Sequence, residues 1–412
     1  MTFAKSVVLF AAVASPAAAQ LALPLSGAGL GNVVRGLPVQ VDRLGNTATA
    51  TLRSASALAE QRLVRIAALV RRGAATIERD DRGDPARRGE LIAIDADPQS
   101  LANAQAAGYA MLELGTIEGT GINFARLSVP RGMSLAKAER DLKRRLPAVI
   151  VSADHLHFES GTSLGRSEPM PALSSPAPIG GTVGLIDGGV DGRINVTSAR
   201  GFASGAPVAS KHGTAVASTL AFAGVGRIIS ADVYGRDPAG GNALAIARAI
   251  GWMTALRVPV VTISLVGPSN PLLARTIAAA HSRGTIVVAA VGNDGPASPP
   301  AYPASYPDVV AVTGVDNRNR ALIEAGRALH LDYAAPGADI VATGLNGRAI
   351  KVRGTSFAAP LVAARIASAY ASAPDRSALI RQVDAYAVDL GAKGPDRTFG
   401  RGLLCGECRR TK

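Results

Sequence analysis

Short apolar runs alternate with helix-compatible segments over the second half of the chain. TVGLID at 182–187 is typical of a buried parallel strand, which presents a continuous run of apolar residues. TIVVAAVGNDGP at 285–296 is typical of a strand that runs into a loop. HGTAVASTLAFA at 212–223 and TSFAAPLVAARIASAYA at 355–371 are rich in small residues and compatible with helices. This alternation predicts an α/β domain over 182–404 with a doubly wound, mostly parallel sheet.

A different pattern precedes this domain at residues 89–158. Strands are predicted at ELIAIDA, YAMLELGTI, NFARLSVP and PAVIVSADHLHF, and helices at PQSLANAQAAG and SLAKAERDLKRRL. Ser134 opens the second helix, as expected of an N-cap residue. The order βαββαβ predicts a smaller α+β domain of ferredoxin-like shape.

The remaining segments are predicted to connect these two domains or flank them. Residues 20–50 lack periodicity and are interpreted as a linker, and 51–88 as an amphipathic helix followed by a linker. The helix over 51–72 places on one face the residues Leu52, Leu58, Leu63, Ile66, Leu69 and Val70. We favour a docked or interdomain helix over one lying on an anionic membrane surface. Residues 159–181 are Ser- and Pro-rich and predict an exposed linker, and 405–412 a C-terminal tail.

The first residues predict export. MTFAK carries a positive charge, SVVLFAAVA is a short apolar run, and Ala17 and Ala19 precede Gln20. This pattern is typical of a secretory signal peptide at 1–19 that is cleaved after Ala19. No apolar stretch of the sequence approaches the roughly 20 residues of a transmembrane helix. We therefore expect a periplasmic or secreted protein.

Composition changes this picture little. The formal charge is +13 and the pI is about 10.3, which suggests a nucleic-acid partner, but the basic residues are scattered and no nucleic-acid-binding motif accompanies them. A solvated basic surface is the favoured interpretation, and no nucleic acid is expected as a partner. Cys405 and Cys408 are the only cysteines, and a local disulfide is the default expectation in an oxidising compartment.

Three separated segments supply an acid, a base and a nucleophile. Asp187 ends the first predicted strand, His212 begins one predicted helix, and Ser356 begins another. A serine hydroxyl is a weak nucleophile at neutral pH, so it needs an imidazole to take its proton. That imidazole needs a carboxylate to fix its tautomer and stabilise its charge. The chain order Asp, His, Ser is the one found in subtilisin, unlike that of chymotrypsin or the α/β-hydrolases.

A fourth segment predicts stabilisation of negative charge. Asn293, at the end of its strand, is placed to direct a side-chain amide at the oxyanion that forms when Ser356 attacks a carbonyl. The Ser356 backbone amide, at a helix N-terminus, is the second predicted donor. Together these two groups are the predicted oxyanion hole.

These segments resemble the subtilisin-like (subtilase) serine peptidase family from about Thr182 to about Leu404. The resemblance implies a serine endopeptidase, a hydrolase that acts through an acyl-enzyme on Ser356. It also implies that the strand TISLVG at 262–267 pairs with an extended peptide substrate, with Ser264, Leu265 and Val266 as substrate-binding residues. Val266 replaces a glycine of the family pattern, and its side chain is expected to narrow the cleft beside the residue that precedes the scissile bond.

The resemblance implies a zymogen as well. Subtilases commonly carry a ferredoxin-like prodomain directly before the peptidase, so residues 89–158 are expected to be a folding aid and intramolecular inhibitor. The hypothesis is that Ser356 cuts its own chain between about Phe158 and Thr182. A permanent regulatory domain is the alternative. No cofactor is required by this chemistry; many relatives bind structural calcium, but no calcium-ligand loop is evident, and no metal ligands are predicted.

Two further functions remain as alternatives. GTSLG at 161–165 fits the G-x-S-x-G nucleophile elbow, which would make Ser163 the nucleophile of an esterase. A Ser- and Pro-rich stretch follows it, whereas the elbow must turn into a helix. The other alternative is a catalytically silent binding module with the same fold.

Overall fold

The computed structural model describes residues 40–168, 180–370, 372–373 and 375–408. The predicted signal peptide and most of the predicted 20–50 linker lie outside these residues. The described residues from Ala50 onward belong to one compact unit. Within the described residues, no helix combines the length and the apolar character needed to cross a membrane.

Helix α1 spans Gln40–Arg72, so it begins within the stretch predicted as linker. No proline occurs between Pro38 and Pro85, so nothing in the backbone forces a break there. The predicted apolar face is also only partly right: Ile66 is buried, whereas Leu63 is 61% exposed. Arg62 and Arg65 pair with Asp294, on the loop that follows Asn293.

The N-terminal layer, residues 77–155, contains the predicted βαββαβ order with one additional strand at its start. Its elements are β1 (Ile77–Arg79), β2 (Pro85–Ile94), α2 (Pro98–Ala106), β3 (Ala110–Ile117), β4 (Ile122–Ser128), α3 (Leu135–Arg145) and β5 (Ile150–His155). The strands form an antiparallel sheet in the order β1-β2-β4-β3, with β5 also pairing with β2. Ser134 caps α3 by accepting the Lys137 amide. Because β1 belongs to this sheet, the layer begins before the predicted boundary at residue 89.

Two strands continue from this layer, β6 (Phe158–Glu159) and β7 (Thr162–Glu168). Residues 159–181 were predicted to be an exposed linker. This prediction is wrong for the first part, because Glu159 pairs with β12 and residues 162–168 pair with β17. Residues 169–179 lie outside the described chain. The strand β7 also contains Ser163, where a nucleophile elbow would require a turn into a helix.

The C-terminal region begins at Gly180 and alternates strands with helices. Its strands are β8 (Gly180–Asp187), β9 (Ser198–Gly201), β10 (Val225–Asp232), β11 (Val260–Ile263), β12 (Leu265–Val266), β13 (Ile286–Ala290), β14 (Val309–Val315), β15 (Tyr333–Pro336), β16 (Ile340–Thr343) and β17 (Ala349–Arg353). Its helices are α4 (Lys211–Phe222), α5 (Ala243–Ala255), α6 (Pro271–Ser282), α7 (Thr355–Tyr370) and α8 (Arg376–Asp384).

Seven of these strands form one parallel sheet in the order β15-β14-β13-β11-β8-β10-β9. Residues of α4 and α7 pack in one apolar cluster with strand residues such as Val183, and residues of α5 and α6 pack in another with Ile186. Because β8 contributes to both clusters, its residues are apolar in succession. The doubly wound, mostly parallel α/β fold predicted from the sequence is confirmed.

The described part of the predicted C-terminal tail, residues 405–408, packs against the core. Cys405 and Cys408 form a disulfide and are both buried in the cluster that contains α7. The predicted tail at 405–412 therefore begins as packed structure at least to Cys408, because these two side chains contribute to the apolar core.

Candidate active site

Asp187 and His212 meet where β8 ends and α4 begins. Ser210 caps α4 by accepting the Gly213 amide at 2.9 Å, which fixes the first turn that carries His212. His212 Nδ1 lies 2.9 Å from both carboxylate oxygens of Asp187, and Asp187 is fully buried. The Gly188 amide donates to the same carboxylate at 2.8 Å. The carboxylate is therefore held in place to orient the imidazole.

The charge of His212 is set by this buried pair. Burial lowers the pKa of His212, but the charge and the hydrogen bond of Asp187, together with nearby Glu159, raise it above its ordinary value overall. The other ring nitrogen, Nε2, is buried and has no hydrogen-bond partner among the described residues. It is the atom free to exchange a proton with a neighbouring group.

Ser356 lies in the first turn of α7 and is fully buried. Its backbone amide donates to the carbonyl oxygen of Ser160 at 3.2 Å. The Asn293 side-chain amide donates to the same oxygen, and Ser356 Oγ is in contact with it. Two donors from separate elements therefore converge on one carbonyl group that the nucleophile touches.

The Asn293 side chain is fixed by its surroundings. Its carbonyl oxygen accepts the Thr355 amide at 3.1 Å, which leaves the NH₂ group directed at Ser160. A Cβ placed on Gly354 would lie 2.8 Å from Asn293 Nδ2, and the Gly354 φ of +139° suits glycine. Glycine at 354 therefore permits the close approach of this donor.

The Ser356 carbonyl accepts a hydrogen bond from outside its own helix. Pro360 lies inside α7 and has no N–H, so it cannot donate to the carbonyl of Ser356 four residues before it. The Ser264 hydroxyl donates to that carbonyl at 2.8 Å instead. The bond ties the start of α7 to the segment that holds a bound peptide.

Residues 157–160 lie in this cleft as an extended peptide. Strand β6 pairs antiparallel with β12, with Leu265 opposite Glu159 and Val266 opposite Phe158. The Ser160 amide donates to the Ser264 carbonyl at 3.1 Å. The Ser160 hydroxyl donates to the same carbonyl at 3.0 Å and lies 2.7 Å from Ser356 Oγ. The chain therefore presents its own Ser160–Gly161 peptide bond to Ser356.

His157 anchors the other end of this peptide. Its amide donates to the Gly241 carbonyl at 2.8 Å, and its carbonyl accepts the Tyr234 hydroxyl at 2.8 Å. The ring is fully buried, and a Cβ placed on Gly267 would lie 2.6 Å from His157 Cδ2. Burial lowers the pKa of His157 to about 3, so the ring stays neutral.

Glu159 adds a second carboxylate beside the acid–base pair. Its carboxylate oxygen, an Asp187 oxygen and a His212 nitrogen all lie within 4.8 Å of one another. The Glu159 side chain keeps contact with solvent, yet partial desolvation and then the charge of Asp187 raise its pKa to about 7. Ionisation of Glu159 is therefore unfavourable while the peptide is bound.

Two other groups of metal-ligand type occur in the described part of the chain. Asp80, Asp81 and Glu139 lie together, but Lys143 contacts Glu139 and Asp81, and His155 Nε2 lies 2.9 Å from Asp80. Cys405 and Cys408 lie beside Glu407, but both sulfurs are used in the disulfide. In both groups ligand atoms are engaged in ion pairs or in the disulfide. That no cofactor is required stays a prediction.

The structure brings together all the residues singled out from the sequence. Asp187 and His212 pair where β8 ends and α4 begins, and Asn293 and Ser356 both contact the Ser160 carbonyl, after β13 and at the start of α7. Within the described residues, Ser356 Oγ bonds to Ser160 rather than to His212 Nε2. Ser264, Leu265 and Val266 flank the bound peptide. Sequence reasoning did not single out Glu159 and Ser160; the only available signal was that the small pair Ser160-Gly161 comes two residues after the last predicted strand, which ends at Phe158. Ser163 lies in β7, opposite Val352, which argues against the esterase alternative.

Comparison with known proteins agrees with this geometry. A family model described as the subtilase family matches residues 187–402. The chain is 32% identical over 295 residues to subtilisin E of Bacillus subtilis, which covers 65% of this chain and 77% of that protein. It is 34% identical over 167 residues to the minor extracellular protease Epr of the same species, which covers 40% of this chain and 26% of that protein.

Two solved structures share the fold. Fervidolysin from Fervidobacterium pennivorans, described as a keratinolytic enzyme related to subtilisin, matches with a TM-score of 0.64 at 18% identity, over 78% of this chain and 61% of its own. The epidermin leader peptide processing serine protease from Staphylococcus aureus matches with a TM-score of 0.59 at 17% identity. The match covers 77% of this chain and 97% of that protein. From its matched motifs, its fold and its relatives, the chain belongs to the subtilase family of serine peptidases.

Proposed function

We propose that the chain is an exported serine endopeptidase made as a zymogen, and that it cuts itself between Ser160 and Gly161. The observation that carries the proposal is the Ser160 carbonyl, which accepts from the Ser356 amide and the Asn293 side chain while Ser356 Oγ touches it. Catalytic donors act on the oxygen of the bond to be broken, so this contact supports Ser160–Gly161 as the bond that is cut.

The groups present supply every proton that the reaction needs. Ser356 Oγ attacks the carbonyl carbon of Ser160 while His212 Nε2 takes the hydroxyl proton and Asp187 stabilises the imidazolium. The Ser356 backbone amide and the Asn293 side-chain amide stabilise the oxyanion that forms on Ser160. The bond to the Gly161 nitrogen then breaks, and His212 returns its proton to that nitrogen as the new amino terminus forms. Water, activated by His212, releases Ser160 as a carboxylate from the acyl-enzyme.

The N-terminal layer is proposed to inhibit the enzyme that it precedes. Residues 157–160 fill the cleft from Gly241 to Ser356, so another peptide cannot enter while they are bound. Leu272, on α6, packs in one apolar cluster with residues of the sheet of the layer such as Ile92 and Phe124. Cutting one bond leaves these contacts intact, which favours a cleaved but still bound inhibitor.

Export rests on the predicted signal peptide and agrees with the disulfide between Cys405 and Cys408, because disulfides persist in oxidising compartments. Substrates are proposed to be extended peptides or proteins that replace residues 157–160 along β12.

The silent binding module remains the competing function, and the intact set Asp187, His212, Asn293 and Ser356 argues against it. Labelling by a serine-directed fluorophosphonate separates these functions. Modification of Ser356 supports the peptidase, and absence of labelling after residues 157–160 have been removed from the cleft supports the binding module.

The test compares the wild type with Ser356→Ala, both expressed without residues 1–19. We expect the wild type to yield a fragment whose amino-terminal residue is Gly161 and which digests casein, and Ser356→Ala to remain full length and inert. Intact mass and amino-terminal sequencing give the cleavage position. A wild type that stays full length, or one whose new terminus lies elsewhere, would contradict the proposed bond.

A further inference from the structure

We propose that Val266 restricts this peptidase to substrates with a small residue, such as serine or alanine, immediately before the cut. This inference rests on the proposed function and names the substrate class of the same site. The residue before the cut, here Ser160, is called P1 below.

The P1 residue lies between two backbone segments. On one side its amide donates to the Ser264 carbonyl at 3.1 Å, and on the other its carbonyl accepts the Asn293 amide. We place a P1 side chain larger than serine between the segments 264–267 and 291–293, because Ser160 contacts the backbone of the first segment and the Asn293 side chain of the second. The space available there decides which side chains are accepted.

Val266 occupies this space. A Cβ placed on Gly292 would lie 3.2 Å from Val266 Cγ1 and 3.5 Å from Val266 Cγ2. The valine side chain thus reaches from β12 to the backbone of the opposite segment, directly before Asn293. An aromatic or leucine side chain at P1 has to displace it, and Val266 cannot yield freely because a β-branched side chain has few rotamers.

The residue that the chain itself places at P1 agrees with a closed pocket. The Ser160 hydroxyl donates to the Ser264 carbonyl at 3.0 Å, so the side chain at P1 in the uncut chain is small, polar and held by the segment 264–267. Gly161, on the other side of the bond, also lies close to the nucleophile, since a Cβ placed there would be 3.2 Å from Ser356 Oγ. The bond presented is flanked by small residues on both sides.

The test uses the processed enzyme and a series of peptide amides that differ only at P1, with Ser, Ala, Leu or Phe at that position. We expect kcat/KM for Ala and Ser to exceed that for Phe by about 100-fold, since pockets separate substrates by steric exclusion on this order. In Val266→Gly the Phe-to-Ala ratio of kcat/KM should rise at least tenfold, and in Val266→Ala by a smaller factor. A wild type that prefers Phe or Leu overturns the inference without any variant.

Self-cleavage gives a second readout in the full chain. Ser160→Phe should slow conversion to the mature form at least tenfold, and Val266→Gly in the same chain should restore it. Fast processing of Ser160→Phe alone, or failure of Val266→Gly to change the P1 ratio, would contradict the role of Val266. A wild type inactive on every peptide would instead contradict the proposed function, so the two failures are distinguishable.

Discussion

The Ser160 carbonyl shows how single side chains prepare the site for charge. Asn293 donates to it, and the Thr355 amide holds the other end of the Asn293 amide group at 3.1 Å. Such fixed donors need little reorganisation when a carbonyl oxygen becomes an oxyanion. Their effect should therefore appear in turnover more than in substrate affinity.

Asn293→Ala tests this directly. We expect kcat to fall by about 10²–10³-fold with little change in KM; the figure is carried over from subtilisin, where loss of one oxyanion donor has this effect. The measurement is steady-state hydrolysis of a peptide amide with alanine at P1. The exposed Asn317→Ala is the control and should leave kcat unchanged. Equal losses in both variants would contradict a specific role for Asn293.

The raised pKa of Glu159 predicts that binding of the N-terminal layer depends on pH. Its pKa is raised to about 7 in the uncut chain by desolvation and by Asp187, against an ordinary value of 4.5. Below pH 4.5 the carboxyl is protonated whether or not the peptide is bound, so no destabilisation arises. Between pH 4.5 and 7 the bound form holds a proton that the free form has lost, so rising pH weakens binding, and the full effect is present above pH 7.

In the Ser356→Ala background, Glu159→Gln should therefore stabilise the protein above pH 7 relative to pH 4.5. The measurement is the difference in melting temperature between the two proteins across this range. The exposed Glu60→Gln serves as control and should show no such pH-dependent difference. A difference of opposite sign would mean that Glu159 is stabilised as the charged form.

At the scale of elements, one helix cap positions His212 and another helix start binds the N-terminal layer. Ser210 caps α4 two residues before His212, and Asn242 caps α5 by accepting the Ala245 amide at 2.9 Å. Asp154, from β5, accepts the next free amide of α5, that of Leu244, at 3.0 Å. Caps therefore both place a catalytic side chain and join the N-terminal layer to the C-terminal region.

Ser210→Ala should lower the free energy of unfolding by about 1 kcal/mol in the Ser356→Ala background, as expected for loss of an N-cap. In the active enzyme kcat should fall too, because the turn that carries His212 loosens. Asp375→Ala, which removes the cap of α8, is the matched control. It should reduce stability by a similar amount, measured by guanidinium unfolding, while kcat is unchanged. Identical kcat in both variants would contradict the positioning role.

The elements predicted well are those whose signal is local. The strand β8, the starts of α4 and α7, and the βαββαβ order of the N-terminal layer each follow from apolar runs, caps and motifs read over a few residues. The prediction of Asp187, His212, Ser356 and Asn293 as site residues rests on motifs of the same local kind. The strand β7 was not predicted, because TSLGRSE lacks alternation and pairs only where β17 offers an edge.

Glu159 and Ser160 were missed at the site because their roles depend on where the N-terminal layer rests. Nothing within residues 157–161 marks a bond for cleavage; the contacts with Ser264, Asn293 and Ser356 come from segments more than 100 residues away in sequence. Sequence alone gave only the interval from Phe158 to Thr182. Tertiary contacts between the layer and the cleft are needed to choose one bond.

At the scale of the whole molecule, a buried polar network joins the N-terminal layer to the rest. Asn270 donates to the Ala153 carbonyl at 3.0 Å and lies 2.9 Å from His155 Nδ1, while it also caps α6. Asp80 completes the network through His155 Nε2. All its members are buried, so each lost partner leaves a polar group without water or a bond.

Asn270→Ala should lower the free energy of unfolding by about 1–3 kcal/mol in the Ser356→Ala chain, the range for leaving buried polar groups unpaired. In a chain that keeps Ser356, Asn270→Ala should also weaken inhibition by the bound N-terminal layer. The measurement is how soon casein-digesting activity appears after self-cleavage, and we expect it to appear sooner than in the wild type. Asn317→Ala is the matched control and should change stability by less than about 0.5 kcal/mol. Equal stability of the two variants would contradict the network.

The pairing of β7 with β17 has a kinetic consequence for maturation. Arg353 of β17, opposite Thr162, directly precedes Gly354. If the proposed cut occurs, the amine of Gly161 stays tethered beside the acyl-enzyme, at an effective concentration that a short tether keeps in the millimolar range or above. This amine competes with water for the ester and reseals the chain whenever it reacts first. Detachment of one strand from a sheet edge, rather than the bond-breaking step, then sets how fast a zymogen commits to becoming an enzyme.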